Sequence, residues 1–199
     1  MHYGLTEASR SSFIEFHSES DYLHTAGKPS PCTRIAIINK DGMLLPAGIE
    51  GEICIKGNHV ISSYLNYPEK KHYYHGEYFR TGDWGMMDES GYLHILSRTK
   101  DIINSGGKKI SPDEVEAALQ KIPGILECAC VAAADPQGIL GEVVKAVLVS
   151  DGSPRITLSD IRLALKGKLE NYKIPAIIEW RDHLPKTQSG KLKRKKLRV

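Results

Sequence analysis

A change of pattern at Asp101 constrains this chain more than any other feature. From about residue 34 to residue 97 the sequence is a run of short strand-like stretches and tight-turn signals. Arg34 to Asn39 reads as a strand, followed by a turn at Lys40-Asp41-Gly42. Glu52 to Lys56 is a second strand, bounded by Gly51 and Gly57. Asp88-Glu89-Ser90-Gly91 leads into a third, Tyr92 to Leu96. Asp-Gly and Ser-Gly steps supply the positive φ that hairpins require. This stretch therefore reads as part of a β-barrel or a small antiparallel sheet.

After Asp101, helical spacing enters. Ile102 and Ile103 lead through Gly106-Gly107 to Ile110, a two-stranded hairpin. Ser111-Pro112-Asp113-Glu114 has the spacing of a capping box, with Pro112 in the first turn, where its missing N–H costs nothing. Val115, Ala118, Leu119 and Ile122 form the apolar stripe of that helix, and Pro123-Gly124 stops it. Strands follow at Glu127 to Ala133 and Val143 to Val149. Thr157 can cap a second helix with Ile161, Leu165, Leu169 and Tyr172 on one face, and Ala176 to Trp180 is a last strand. The order β-β-α-β-β-α-β over residues 101–199 predicts a compact α+β domain of about 100 residues, an ordinary domain size. The whole chain is thus α+β, a β-rich part followed by a small α+β domain.

Composition narrows the functional classes. Hydrophobic residues make up 41% and charged residues 26%, the balance of a globular protein with a core. A net charge of +3 is too small to argue for nucleic acid, and the basic tail from Lys186 to Arg198 lacks interleaved aromatics and reads as a solvated terminus. The four cysteines contain no CxxC pair. Cys128 and Cys130 stand two apart in an apolar run, hence on one face of a strand, as core residues. A reducing cytoplasm is the default setting for such usage. No apolar run approaches transmembrane length. His72 and His75 flank Tyr73-Tyr74 without an HExxH pattern, and read as a solvated pair in a loop.

Four short motifs carry the chemistry: Tyr3-Gly4-Leu5-Thr6-Glu7, Thr81-Gly82-Asp83 within Phe79 to Asp83, Arg98-Thr99-Lys100-Asp101, and Pro185-Lys186-Thr187-Gln188-Ser189-Gly190-Lys191. Each alone fits an ordinary loop, turn, surface ion pair or basic tail. Their side chains suit a nucleotide and its metal. An aromatic can stack on adenine, a threonine hydroxyl can reach a phosphate oxygen, and a carboxylate can hold Mg²⁺ beside substrate phosphates. An aspartate can accept from two neighbouring ribose hydroxyls. A guanidinium is a fork of donors, and a lysine is a compact charge on a long stem.

In this order, spread over the whole chain, the motifs resemble those of the adenylate-forming enzymes: acyl-CoA synthetases, adenylation domains of peptide synthetases, and luciferases. The resemblance is strongest to the AMP-forming acyl-CoA synthetases. It implies that residues 1–100 are the C-terminal piece of a large AMP-binding domain and residues 101–199 a small mobile domain. It implies ATP as substrate, Mg²⁺ as cofactor and CoA as thiol acceptor. A carboxylic acid, fatty acids foremost, would be activated to acyl-AMP and passed to CoA. By the same resemblance Tyr3, Gly4, Thr6, Asp83 and Arg98 bind ATP and AMP, and Glu7 holds Mg²⁺. Asp101 is the hinge, Gly106 and Gly107 line the CoA path, and Lys191 reaches the α-phosphate and the substrate carboxylate. Thr6, Glu7 and Lys191 would be catalytic.

The Ser/Thr/Gly-rich phosphate loop of that family is absent from these residues, and the chain starts within a family motif. An upstream region of the same protein is therefore expected as a partner, and the 199-residue chain alone is expected not to adenylate. Two other readings use the same residues: an adenylation domain that loads a carrier protein, and a non-catalytic nucleotide-binding module.

Overall fold

The computed structural model describes residues 2–64, 73–74 and 77–198. The chain divides into two compact units, Met1–Lys100 and Asp101–Val199.

The first unit is built on strands. β1 (His2–Tyr3), β2 (Ser12–Phe13) and β3 (Lys28–Pro29) form a small antiparallel sheet. β4 (Thr33–Ile38), β5 (Gly51–Gly57), β6 (Tyr73–Tyr74), β7 (Tyr78–Met87) and β8 (Leu93–Arg98) form a second sheet, in which β7 pairs with β5, β6 and β8. The turn after β4 closes as its residues suggest, with Asn39 Oδ1 accepting from the Asp41 and Met43 amides at 2.9 Å. Asp88 Oδ1 does the same before β8, accepting from Ser90 and Tyr92. Ile37, Ile53, Ile55 and Leu93 pack with Ala8 and Ala26 as the core of this unit.

Two expectations change here. The ten-residue strand β7 is the spine of the sheet, although Gly82, Asp83 and Gly85 make its sequence read as turns. Gly85 is needed there because a Cβ would lie 2.1 Å from the His94 carbonyl oxygen across the ladder. Tyr73 and Tyr74, expected in a loop, form β6 against Phe79 and Tyr78. His72 and His75 lie outside the described residues.

The second unit follows the expected order. β9 (Ile103–Ser105) and β10 (Lys108–Ile110) form the hairpin, and α1 (Pro112–Leu119) follows. β11 (Ile125–Ala134) pairs antiparallel with β12 (Glu142–Ser150). α2 (Leu158–Leu165) then crosses back so that β13 (Ile177–Trp180) joins β12 in parallel. A parallel neighbour requires such a crossover. The capping box, however, sits on the other helix. Ser111 is the N-cap of α1 but makes no side-chain cap bond, and Glu114 instead accepts from Lys173 Nζ at 2.7 Å. Thr157 and Asp160 cap α2 reciprocally. Both helices are shorter than their apolar stripes. Ile122 reaches the core from the turn after α1, and Leu169 and Tyr172 from the segment beyond Gly167, which takes φ +76°.

Strand alternation explains the two-sided core. Cys128 and Cys130 of β11 and Val144, Ala146 and Leu148 of β12 face the helices, packing with Val115, Leu119, Ile161 and Leu165. Ala129, Val131, Val147 and Val149 face the opposite way and are covered by Leu184, Leu192 and Leu197. The basic tail is therefore a docked element and not a solvated terminus. Leu197 is fully buried, and Arg194 reaches across to α1. Cys130 sits on the free edge of β11. Its amide donates to Glu116 Oε1 at 2.6 Å, and its carbonyl accepts from Arg194 Nη1 at 2.9 Å. Arg194 completes the network by binding both Glu116 and Asp113. A strand edge, a helix and the tail are thereby tied by one guanidinium. Burial pushes the Glu116 carboxyl up, against the pull of Arg194 and the Cys130 amide.

Replacing Arg194 by Met removes one partner of this buried pair and leaves Glu116 uncompensated. Urea unfolding of R194M is expected to give a stability lower by about 3 kcal/mol. A loss below a few tenths of a kcal/mol would mean that the pair does not hold the tail. The thiols offer an independent check. Burial pushes Cys54 and Cys128 up to about 12 and Cys130 well above its ordinary value, whereas Cys32 is exposed. A thiol reagent near pH 8 should therefore titrate Cys32 alone in the native chain and all four cysteines after denaturation.

Candidate nucleotide site

The site in the first unit starts from an irregularity in β7. Glu52 pairs with Trp84 and Cys54 with Arg80, so three residues, Thr81-Gly82-Asp83, stand opposite Ile53 alone. This is a β-bulge, which bends the strand and re-aims its side chains. Gly82 takes φ +71°, a conformation that L side chains rarely adopt. Thr81 Oγ1 stitches the bulge together. It donates to the Ile53 carbonyl at 2.8 Å and accepts from the Asp83 amide at 3.0 Å. A motif that reads as a turn is thus a kink inside a strand.

The bulge delivers Asp83 to two partners. Asp83 lies directly opposite Arg98 in the β7–β8 register, and Arg98 Nε stands 3.0 Å from its Oδ1. Tyr3, from the other sheet, donates its hydroxyl to Oδ2 at 2.6 Å. Burial and the Asp83 carboxylate both raise the Tyr3 phenol above its ordinary value, so it remains a donor. The Asp83 side chain is 8% exposed and that of Arg98 52%, so the pair runs from the interior to the surface. Arg98 also reaches the Thr81 carbonyl at 3.5 Å. Three residues separated by up to 95 positions in sequence meet at one carboxylate.

Arg98 lines a cavity of about 400 Å³ with Glu7, Glu52, Tyr64, Arg80 and Thr81 among its walls. Glu7 is half-buried, and its Oε1 accepts from Tyr64 at 2.8 Å. Gly4 shapes the turn that brings Glu7 here. A Cβ on Gly4 would lie 2.5 Å from the Arg10 amide nitrogen, and Leu5 and Ala8 exchange backbone hydrogen bonds across the same turn. Thr6 is exposed and is not among the cavity walls. Glu52, which no sequence motif includes, and Arg80, which lies within the Phe79 to Asp83 motif without an expected role, form an ion pair in the cavity wall. Tyr64 is likewise unmarked in the sequence. It is distant from every motif, and no local pattern points to it.

The second unit carries the other residues of interest. Gly106 and Gly107 take φ +56° and +84° at the β9–β10 turn, and the Gly106 amide donates to the Leu140 carbonyl at 2.9 Å. Asp101 opens the unit and accepts from Arg198 Nη2 at 3.3 Å. Lys191 is exposed at the foot of a tight turn. Thr187 and Lys191 exchange bonds there: the Thr187 amide donates to the Lys191 carbonyl at 2.7 Å, and Thr187 Oγ1 accepts from the Lys191 amide at 3.0 Å. Ser189-Gly190 lies in this hydrogen-bonded loop, with Gly190 at φ +80°.

Among the described residues no group of three or more His, Cys, Asp or Glu could hold a metal ion. A lone carboxylate such as Glu7 suits Mg²⁺, which keeps most of its waters and takes the rest of its ligands from substrate phosphates. No helix among the described residues is long and apolar enough to cross a membrane.

Comparison with known proteins gives these features a family. Residues 1–65 match the sequence profile of the AMP-binding enzyme, and residues 114–191 that of the AMP-binding enzyme C-terminal domain. A feruloyl-CoA synthase from an Amycolatopsis species is 36% identical over 192 residues, covering 96% of this chain and 39% of the relative. A long-chain-fatty-acid–CoA ligase from Escherichia coli is 34% identical over 197 residues, covering 98% and 35%. The structure of o-succinylbenzoate CoA synthetase (MenE) from Bacillus subtilis, in complex with its acyl-adenylate intermediate, superposes with a TM-score of 0.86. It is 34% identical and covers 100% of this chain and 40% of that one. The chain thus spans between a third and two fifths of the length of these relatives. With both sequence profiles matched and the fold shared at this level, the chain belongs to the AMP-binding enzyme family.

Proposed function

We propose that this chain is the part of an AMP-forming acid–thiol ligase that holds the adenosine moiety and supplies the catalytic lysine. The observation that carries this reading is the convergence of Tyr3 and Arg98 on the buried carboxylate of Asp83. Each Asp83 oxygen accepts one bond from the protein and retains a further lone pair, which suits two adjacent ribose hydroxyls. The Arg98 donors not engaged with Asp83 or Thr81 suit a ribose or phosphate oxygen. The Tyr3 ring packs on the core of its unit, and a free face would take the adenine.

The reaction joins two anions, a carboxylate and a nucleoside triphosphate, so it needs positive charge and fixed orientation. Mg²⁺ held by Glu7 would neutralise phosphate charge and leave the pyrophosphate a better leaving group. Thr6, exposed beside Glu7, would reach a phosphate oxygen. Lys191 would bring its charge to the α-phosphate and the incoming carboxylate, and its rooted turn fixes where the stem begins. Asp101 would serve as the hinge, and Gly106-Gly107 would line the path of the thiol. The acid remains a carboxylate of open class, since the relatives named above act on an aromatic, a long-chain and a succinylated acid. CoA is the acceptor these relatives share, and a pantetheine-bearing carrier protein presents the same thiol.

Calorimetric titration of the chain with AMP tests the half-site. Wild-type protein is expected to bind, and Asp83→Ala to lose tenfold to a hundredfold in affinity, which corresponds to about 1.5–3 kcal/mol for hydrogen bonds to a charged group. Replacing AMP by its 2′-deoxy analogue should cost wild type more than it costs the variant. An unchanged affinity in a folded D83A, or no binding by the wild-type chain, would remove the ribose role.

A further inference from the structure

The segment that follows β5 holds Glu7 at two points, backbone and side chain, beside a bridge to its neighbour Ala8. Val60 forms an isolated bridge with Ala8, the Ile61 amide donates to the Glu7 carbonyl at 2.9 Å, and the Tyr64 hydroxyl donates to Glu7 Oε1 at 2.8 Å. Backbone and side chain of Glu7 are thus fixed by one five-residue stretch. That stretch is itself pinned, because the Tyr73 hydroxyl of β6 donates to the Ile61 carbonyl. Both Glu7 and Tyr64 line the 400 Å³ cavity that Arg98 enters. Among the described residues the hydrogen bond to the Glu7 carboxylate is to Oε1, so the arrangement occupies one oxygen of a side chain that lines the cavity and leaves Oε2 without a hydrogen-bond partner there.

From this geometry we infer that Tyr64 is a positioning residue, whose hydroxyl holds Glu7 Oε1 so that Oε2 is presented to a divalent cation. The inference rests on the reading of Glu7 as the Mg²⁺ carboxylate. A lone glutamate has three rotatable side-chain torsions, and a single carboxylate ligand gains affinity when those torsions are set before the metal arrives. The phenol does this from a rigid ring with two torsions. It also spends no charge, so the anionic character that attracts the cation is kept. Partners one step removed from a metal commonly orient the ligand in this way, and losing one costs about tenfold to a hundredfold in metal affinity.

The test uses Mn²⁺ alone as the probe, titrated into the ¹⁵N-labelled chain. Paramagnetic broadening of the Leu5 to Ala8 amides reports occupancy beside Glu7 even when binding is weak. Wild type is expected to show local, saturable broadening, which Glu7→Gln abolishes. Tyr64→Phe is expected to weaken the Mn²⁺ affinity about tenfold or more while thermal unfolding changes little. In the Glu7→Gln background, Tyr64→Phe should have no further effect on the broadening. Should Y64F fail to fold, Tyr64→Trp keeps an aromatic without the phenol and carries the same expectation.

The outcomes separate the two ideas. If E7Q abolishes broadening while Y64F binds Mn²⁺ like wild type, the positioning role is overturned and the metal role of Glu7 stands. A Y64F variant that loses thermal stability but keeps its Mn²⁺ affinity overturns the positioning role as well, since a purely structural tyrosine would behave so. If wild type shows no local broadening, or E7Q retains it, Glu7 is not the metal ligand and the inference falls with that reading.

Discussion

The ion pair between Arg194 and Glu116 is the interaction on which the second unit depends. It satisfies both backbone groups of Cys130 on the free edge of β11, and it ties the tail to α1. Leu192 and Leu197 then cover the sheet face that the helices do not reach. A sheet edge left open invites pairing with another chain, and an uncovered apolar face costs about 25 cal/mol for each Å² exposed to water. One guanidinium therefore links edge protection, core coverage and the placement of the turn that bears Lys191. The lysine is exposed, yet its backbone is fixed on both sides by Thr187 and by the Lys193 bond to the Pro185 carbonyl.

In the first unit the comparable constraint is the bulge at Thr81-Gly82-Asp83. A regular strand would alternate these side chains across the two faces of the sheet. The bulge lets the Thr81 hydroxyl close on the backbone and turns Asp83 towards Tyr3 and Arg98. The carboxylate is buried yet meets a guanidinium and a phenol, which offset the cost of taking it out of water. Asp83 and Glu7 each accept from a tyrosine that is remote in sequence. At Glu7 that donor is neutral and leaves the charge of the carboxylate available to a ligand, whereas Asp83 is also paired with Arg98.

Much of the second unit was legible in sequence because its signals are local. The Thr157 cap, the Gly106-Gly107 turn and the alternation along β11 and β12 depend on residues within a few positions of each other. Cys128 and Cys130 fall on the helix-facing side, as their spacing requires. The capping box at Ser111 failed for a non-local reason: Lys173, 59 residues away, takes Glu114. The tail reads wrongly as solvated for the same kind of reason. Five Lys and Arg between 191 and 196 outweigh Leu192 in any local count, and only the bare face of the sheet explains why that segment docks.

The amino-acid sequence by itself determined the class of the fold, the order of strands and helices after Asp101, and the residue types able to handle a nucleotide. Those properties follow from periodicity, turn chemistry and short motifs, all of which act over a few residues. The tertiary structure decided which of those side chains meet. It made a strand of Tyr78 to Met87 despite its glycines, because β5 and β8 pair with it on either side. It joined Tyr3 to Asp83 across 80 positions and Tyr64 to Glu7 across 57, contacts that arise only when distant segments are brought side by side. A short motif can specify what a carboxylate is able to bind. The direction in which that carboxylate points is set by donors that only folding brings to it.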